Sequence, residues 1–487
     1  MEINTNAPSI KMQEDEDEDM NDPFISASLI GKIPLKRRGE ALLSIAFAQE
    51  LIPLLILGPQ DPEFEREDKG EEEEYEEEED EEEEDEDSDD TDDSFYQDEQ
   101  GDNNNKQINE KKKVRRDSNN SGNSSANSPN TKKLKKTKSK KKIRKFIIRT
   151  QRGLLEDLSR AEFTMLRFAL QDLGSLQFDT LLVHQLTHNH ALTVLGFLIL
   201  QRHDLLNKFN IDVQTAINFF FMVEKYYFKN PYHSAAHAAD VLQMTHWLCT
   251  RRGPHTAVLS DLDLLTIFIS AACHDMGHPG LNNDYLKNTG HKLALLYNDS
   301  SPLENSHVAN AFLLIEQQPE CDILANLQSG QRIELRRMMI NMILATDVKQ
   351  HFPIRTRAEC KIRTIEQDPF LPKENAEDRE LLMKLILMTA DISNGTRPWS
   401  IAPRWSMRIL EEGHAQGDRE RLMGMTPNRL NDRTLANTKE MSTGQIAFLL
   451  GFVKPMIETV DNLLMCLKPC LDNLNQNVST WDHISKV

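Results

Sequence analysis

The stretch ISAACHDMGHPG, residues 269–280, runs from apolar and small residues, as at the end of a buried helix, straight into His274, Asp275 and His278. Ionisable groups are costly to remove from water, so such a cluster is tolerated only when its members are paired, solvated or ligated. A metal ion accounts for two imidazoles beside a carboxylate. The rest of the chain decides what scaffold carries this cluster and which further ligands it receives.

After about residue 151 the texture is helical. NIDVQTAINFFFMVEKYYF (210–228), ELRRMMINMILAT (334–346) and DRELLMKLILMTADIS (378–393) carry apolar residues at three- and four-residue spacings. Alternating β-type runs are rare, Gly and Pro gather between the periodic stretches, and no internal repeat is evident. The pattern predicts an all-α domain over 151–487, compact and built of packed helical subdomains.

The first 150 residues read differently. The chain has 487 residues and a formal net charge of −21, nearly matched by the twenty carboxylates of EEEEYEEEEDEEEEDEDSDDTDD (71–93), so the remainder is close to neutral. From 59 to 150 this acidic tract gives way to an Asn/Ser-rich segment with basic clusters, too polar to offset the entropy of ordering, and a disordered linker is expected. The basic run 132–145 resembles a nuclear-localisation or polyanion-binding patch. A linker that neutralises the acidic tract in cis explains it equally well. No aromatics interleave with the basic residues, so nucleic-acid binding is not expected.

Segment 1–58 holds ALLSIAFAQELIPLLIL (41–57), interrupted by Gln49, Glu50 and Pro53, and therefore no membrane span. It reads as an amphipathic helix that docks on the helical body or a partner. A membrane-surface anchor is the alternative, disfavoured by the lack of a basic polar face. No signal peptide is expected from the N-terminal composition, and the six cysteines (Cys249, Cys273, Cys321, Cys360, Cys466 and Cys470) show no spacing of a disulfide framework, so a reducing, cytoplasmic setting is expected. RRDS (115–118) offers Ser118 to a basophilic protein kinase.

Four separated places carry chemistry. YHSAAHAADV (232–241) gives His233 and His237, at helical i, i+4 spacing. HDMGHPG gives His274, Asp275 and His278. SPLENSHVANAF (301–312) adds Glu304 and His307, and MTADISNGTRPW (388–399) adds Asp391 and Asn394. One histidine on an apolar face is ordinarily a core residue, but four such clusters in one helical domain are not. The order H…HD…D is that of metal-dependent phosphohydrolases, and two imidazoles with two carboxylates suit Zn²⁺, one carboxylate bridging to a harder ion. Two adjacent ions would clamp a phosphoryl group and activate water at neutral pH.

Six motifs sharpen this. NPYHSAAHAADVLQ, HDMGHPGLNNDYL, LALLYNDSSPLENSH, LATDVKQHF, ADISNGTRPW and MSTGQIAFLLGFVKPM occur in the order found in class I 3′,5′-cyclic-nucleotide phosphodiesterases, and the chain resembles that family over about 155–465. The resemblance implies that His237, His274, Asp275 and Asp391 ligate a tight metal, usually zinc. Asp275 would bridge to a second ion, magnesium or manganese. His278, Glu304 and His307 would hold its waters, with Thr346 and Asp347 lining the same site. His233 matches the general acid, oriented by Glu412. Asn394 and Gln445 match purine-pocket residues, Ile409 and Phe448 the apolar clamp on the base, and Tyr232 a further substrate contact.

The expected reaction is hydrolysis of the 3′-ester of a cyclic nucleotide, cAMP favoured over cGMP, to the 5′-monophosphate. Two alternatives stand beside it, a cyclic-nucleotide receptor without turnover and a different H…HD…D enzyme. One departure is visible. The family has an acidic residue where this chain has Gly277, so altered surroundings of the metal, and not a dead enzyme, are expected.

Overall fold

In a computed structural model of the protein, residues 160–251 and 258–486 are described. Segments 1–58 and 59–150, with the docking helix, acidic tract, Ser118 and basic run read from them, lie outside the described residues. Among the described residues all regular elements are helical, without a strand, as the periodicity predicted. Helices of eleven residues or more are α1 (Arg160–Gln171), α2 (Ala191–Arg202), α3 (Val213–Tyr226), α4 (Ala235–Thr250), α5 (Asp261–Cys273), α6 (Pro302–Gln317), α7 (Ser329–Leu344), α8 (Val348–Arg363), α9 (Ala376–Asp391), α10 (Ala402–Leu422), α11 (Thr438–Phe448), α12 (Lys454–Leu464) and α13 (Lys468–Ser485). None is long and apolar enough to cross a membrane.

Local chemistry starts these helices where the site needs them. Ser260 and Asp263 form a reciprocal capping box at the head of α5, with Asp263 N donating to Ser260 Oγ at 3.2 Å and Ser260 N to Asp263 Oδ2 at 2.9 Å. Asn375 and Asn437 cap α9 and α11.

At the centre lies α4. Each residue from Ala236 to Leu248 is buried, so the helix has no solvated face and packs on α2, α5 and α9. Its early alanines, Ala235, Ala236, Ala238 and Ala239, keep the first turns thin enough for neighbours to bring polar groups close. Close approach recurs in α2, where a Cβ on Gly196 would stand 2.4 Å from the Phe220 ring of α3.

A buried ion pair ties the head of α4 to the chain after α9. Arg397 and Asp240 are both fully buried, with Arg397 Nη2 2.9 Å from Asp240 Oδ1. Thr180 Oγ1 donates to the same carboxylate oxygen at 2.8 Å, and Arg397 Nη2 also donates to Gln243 Oε1 at 2.6 Å. The short turn Ser393–Thr396 ahead of Arg397 is held from behind by Asn477 of α13, which donates to the carbonyls of Gly395 and Arg397 at 2.8 and 2.9 Å. In front of it, the π-helical turn Leu449–Val453 places Leu449 where a Cβ on Gly395 would sit.

Removing Asp240 would strand a guanidinium in the core. Asp240→Ala is therefore expected to destabilise the fold by about 3–5 kcal/mol, the scale for breaking one side of a buried pair. Urea unfolding followed by circular dichroism measures it, and a loss below about 1 kcal/mol would contradict the role.

Candidate active site

Packing of α4 between α5 and α9 brings three distant sequence segments to one point. His237 lies in the first turn of α4, His274 caps the end of α5, Asp275 follows it, and Asp391 is the last residue of α9. One ligand atom from each lies within 4.8 Å of the others. His237 Nε2 is 3.1 Å from Asp391 Oδ1, and His274 Nε2 is 3.3 Å from that atom and 3.2 Å from Asp275 Oδ2.

The donor set fits a metal ion. His274 Nδ1 lies 2.8 Å from the Ala271 carbonyl oxygen, which assigns the proton to Nδ1 and leaves the Nε2 lone pair facing the two carboxylates. That Nε2 is buried and near both carboxylates yet makes no hydrogen bond of acceptable geometry. His237 Nε2 and Asp391 Oδ1 are within hydrogen-bond reach of each other, and the four donor atoms converge on one point, as a tetrahedral N₂O₂ ion requires. Burial opposes charge on each group, but the carboxylates of Asp275 and Asp391 hold His274 well above the ordinary imidazole range, and His274 holds both carboxyls low. Tyr227 keeps Asp275 in place, its hydroxyl accepting from Asp275 N at 3.3 Å and donating to the Ala272 carbonyl at 2.9 Å.

His233 faces the same space from the loop before α4. Its Nδ1 is bonded to Glu412 Oε1, while Glu412 Oε2 accepts from the backbone N–H groups of Tyr232 and His233, both at 2.9 Å. Glu412 on α10 is thus fully used in holding one imidazole. Asn230 fixes the backbone around it by donating to the carbonyls of His233 and His278 at 2.9 and 2.7 Å. Burial alone would strip His233 of its proton, but the Glu412 carboxylate reverses this and pushes it up to about 9. Glu412 is correspondingly pulled down to about 2, against its own burial.

His278, Glu304, His307, Thr346 and Asp347, the outer groups implied by the family resemblance, line one cavity, and the two histidines carry distinct tautomers. His278 stacks on His233 at 4.0 Å between ring centroids. Its Nδ1 accepts from Gly280 N at 3.0 Å, which assigns the proton to Nε2. His307 is the reverse, since its Nδ1 lies 3.0 Å from the Met276 carbonyl and its Nε2 faces Asp275 Oδ1 at 3.7 Å. Burial and the neighbouring His233 charge keep His278 neutral, and burial lowers His307 to about 4. Glu304 is raised by burial to about 7, although Asn283 donates to both of its oxygens. Thr346 gives its hydroxyl to the Ile343 carbonyl, and Asp347 caps α8 while accepting from Ser301 Oγ at 2.7 Å.

A cavity of about 440 Å³ opens onto this array, lined among others by His233, Asp275, Glu304, Thr346, Asp391 and Ile409. Tyr232, Asn394, Gln445 and Phe448 are not part of its lining. Asn394 is buried, its Nδ2 donating to Asp240 Oδ2 at 2.7 Å and its Oδ1 accepting from the Tyr232 hydroxyl, so one N–H and one lone pair of the amide remain. Gln445 Oε1 accepts from Ser406 Oγ at 2.9 Å. Ile409 and Phe448 are apolar yet exposed, by 36% and 43%, so they are surface residues and not core.

Asn230, Asp240, Tyr227, Asn283 and Ser406 were not singled out from sequence. Asp240 lies one helical turn after His237, and Asn230 directly precedes Pro231, but only contacts across the fold give either a role.

Fold and site together define an all-helical protein with a buried imidazole–carboxylate centre. Residues 232–474 match the family described as 3′5′-cyclic nucleotide phosphodiesterase. The chain is 35% identical over 312 residues to the 3′,5′-cyclic-AMP phosphodiesterase 4C of Rattus norvegicus, covering 63% of this chain and 57% of that protein. It is also 35% identical over 304 residues to the probable 3′,5′-cyclic-AMP phosphodiesterase pde-4 of Caenorhabditis elegans, covering 61% of this chain and 44% of that one. The crystal structure of the phosphodiesterase domain of the RhoPDE fusion protein from the choanoflagellate Salpingoeca rosetta superposes with a TM-score of 0.60 at 29% identity, over 66% of this chain and 98% of that one. The chain carries the catalytic domain of the class I cyclic-nucleotide phosphodiesterase family, and spans about half the length of the curated relatives it matches.

The His233–Glu412 pair carries a pH signature. Because His233 is raised in the folded state, its pairing stabilises fully below the ordinary imidazole value of about 6.5 and is lost as pH rises through about 9. Because Glu412 is lowered, its share is present above the ordinary carboxyl value and lost as pH falls through about 2. Glu412→Gln removes the charge that opposes burial, so the His233 titration should fall by about two units or more. NMR titration of ring-labelled histidine reads this directly, and an unmoved His233 would remove Glu412 as the cause.

Proposed function

We propose that this chain hydrolyses the 3′-ester bond of 3′,5′-cyclic nucleotides, preferring cAMP, to 5′-nucleoside monophosphates. One observation carries the reading. Asp275 and Asp391 of a four-donor candidate metal centre line the same cavity as His233, an imidazole charged by the Glu412 carboxylate.

His237, His274, Asp275 and Asp391 would hold zinc, and Asp275 would share a second ion, magnesium or manganese, whose waters face His278, Glu304 and His307. When bound, such ions supply Lewis acidity toward phosphoryl oxygens and a nucleophile at neutral pH. The chain's own part is positioning and proton transfer. His233 Nδ1 is engaged by Glu412, so Nε2 carries the proton that goes to O3′ as the P–O3′ bond breaks. Its raised titration keeps that proton in place at neutral pH. His278, neutral, lining the same cavity and with its proton assigned to Nε2, adds a donor without adding charge next to His233.

Preference for cAMP rests on Asn394. Asn394 is not part of the cavity lining, but it matches the family's purine-pocket residue, and the one N–H and one lone pair left on its amide would pair with the donor and acceptor of adenine N6 and N7, whereas guanine offers two acceptors on that edge. Gln445 can present either end of its amide, and Ile409 with Phe448 would cover the two faces of the base. The names of the relatives, cyclic-AMP phosphodiesterases, support the same substrate.

The direct test is kcat/KM of the full chain for cAMP and cGMP with product analysis. 5′-AMP with a cAMP preference is expected, and 3′-AMP or no hydrolysis by the metal-loaded protein would overturn the reading. Asp391→Ala and His237→Ala should each abolish zinc retention and turnover while the helical circular dichroism persists. More than a tenth of wild-type activity with stoichiometric zinc would contradict their role. His233→Asn should lower kcat by about 100-fold or more with little change in metal content. A nitrophenyl phosphodiester, whose leaving group needs no proton, should be partly spared, and equal losses on both substrates would make His233 structural.

A further inference from the structure

The loop between Asp275 and His278 is held by a residue from another helix. Gly277 adopts φ +81°, and a Cβ built there would stand 2.8 Å from Asn310 Nδ2. Asn310 is buried on α6 and donates that Nδ2 to the Met276 carbonyl at 3.1 Å. The same carbonyl lies 3.0 Å from His307 Nδ1, one turn earlier on α6. Two side chains of one helical face therefore converge on a single carbonyl between Asp275 and His278, and the amide of one occupies the space a side chain at 277 would need.

We propose that Asn310 is a positioning residue for the metal centre, coupled to Gly277. It occupies the volume over Gly277 and shares the Met276 carbonyl with His307, which anchors the 274–278 loop to α6 and keeps His307 Nε2 turned toward Asp275. The loop is braced from outside, and glycine at 277 is what allows the brace in. The backbone conformation contributes as well, since φ +81° disfavours any side chain at 277 even without Asn310. The inference uses the metal centre of the proposed function but not its substrate.

The test measures metal, not turnover. Full-length protein loaded with Zn²⁺ alone, or with Mn²⁺ alone, is titrated with a chelator, and melting temperatures are recorded for the loaded and stripped forms of each variant. Asn310→Ala should weaken metal retention by about five- to tenfold, with a smaller melting gain on loading than wild type. Asn310→Asp, of the same shape but with an acceptor facing the carbonyl, should weaken it more. Gly277→Ala should lose at least tenfold in wild type but at most threefold when introduced into Asn310→Ala, where only the backbone cost remains.

Wild-type retention in Asn310→Ala and Asn310→Asp, or the same Gly277→Ala penalty in both backgrounds, would overturn the proposal, as would a wild-type chain that retains no metal. Should Gly277→Ala fail to fold, the order wild type, Asn310→Ala, Asn310→Asp in metal retention decides alone. A protein that keeps metal in this Asn310-dependent way but hydrolyses no cyclic nucleotide would sink the proposed function and leave this inference standing. Robust hydrolysis with metal retention indifferent to Asn310 would do the opposite.

Discussion

Two imidazoles and two carboxylates are held around one point inside a helical core, and much of the surrounding structure answers that constraint. Each group alone would cost more to bury than its burial returns. Their mutual approach, with separations of 3.1 to 3.6 Å among His237, His274, Asp275 and Asp391, turns that cost into a demand for a cation. Satisfying the demand requires backbones that come close. The alanine-rich start of α4 supplies this, and so does the ending of α5 and α9 at their ligands, where side chains project into the space beyond a helix terminus.

Charge is distributed unevenly around the cavity, and the unevenness is built from pairs. His233 and His278 stack face to face, yet Glu412 bonds only the first. One ring is thereby kept protonated and the other neutral, because two adjacent imidazolium ions would repel across 4.0 Å. Environments that push like groups apart in this way assign different tasks to chemically identical side chains. Glu304, raised by burial to about 7, extends the gradation within the same cavity.

Backbone at the site is held largely by amides. Asn230 bridges the carbonyls of His233 and His278, Asn477 holds those of Gly395 and Arg397, and Asn310 reaches the Met276 carbonyl. The side chain of Asn394 is in turn oriented by Asp240, itself bound to Arg397. An amide can neutralise a buried carbonyl without introducing a charge, which matters where net charge is already committed to the metal donors. The Asp240 carboxylate thus has two partners, since it compensates the buried guanidinium and also fixes which way the Asn394 amide faces.

The sequence by itself determined the helical class, through apolar spacing along segments such as 378–393, and offered the order H…HD…D as a candidate centre, while the choice of His237 over His233 and of His274 over His278 came from the family resemblance. It also showed that position 277 is unusual. What it could not contain is partnership between residues whose separations run from 33 to 179 along the chain. The pairing of His233 with Glu412, of Asn394 with Asp240, and the seating of Asn310 against Gly277 are decided by how α4, α6, α9 and α10 pack. Local spacing fixes which face of a helix a side chain occupies, whereas the identity of the atom it meets there is a property of two surfaces brought together by burial of the core.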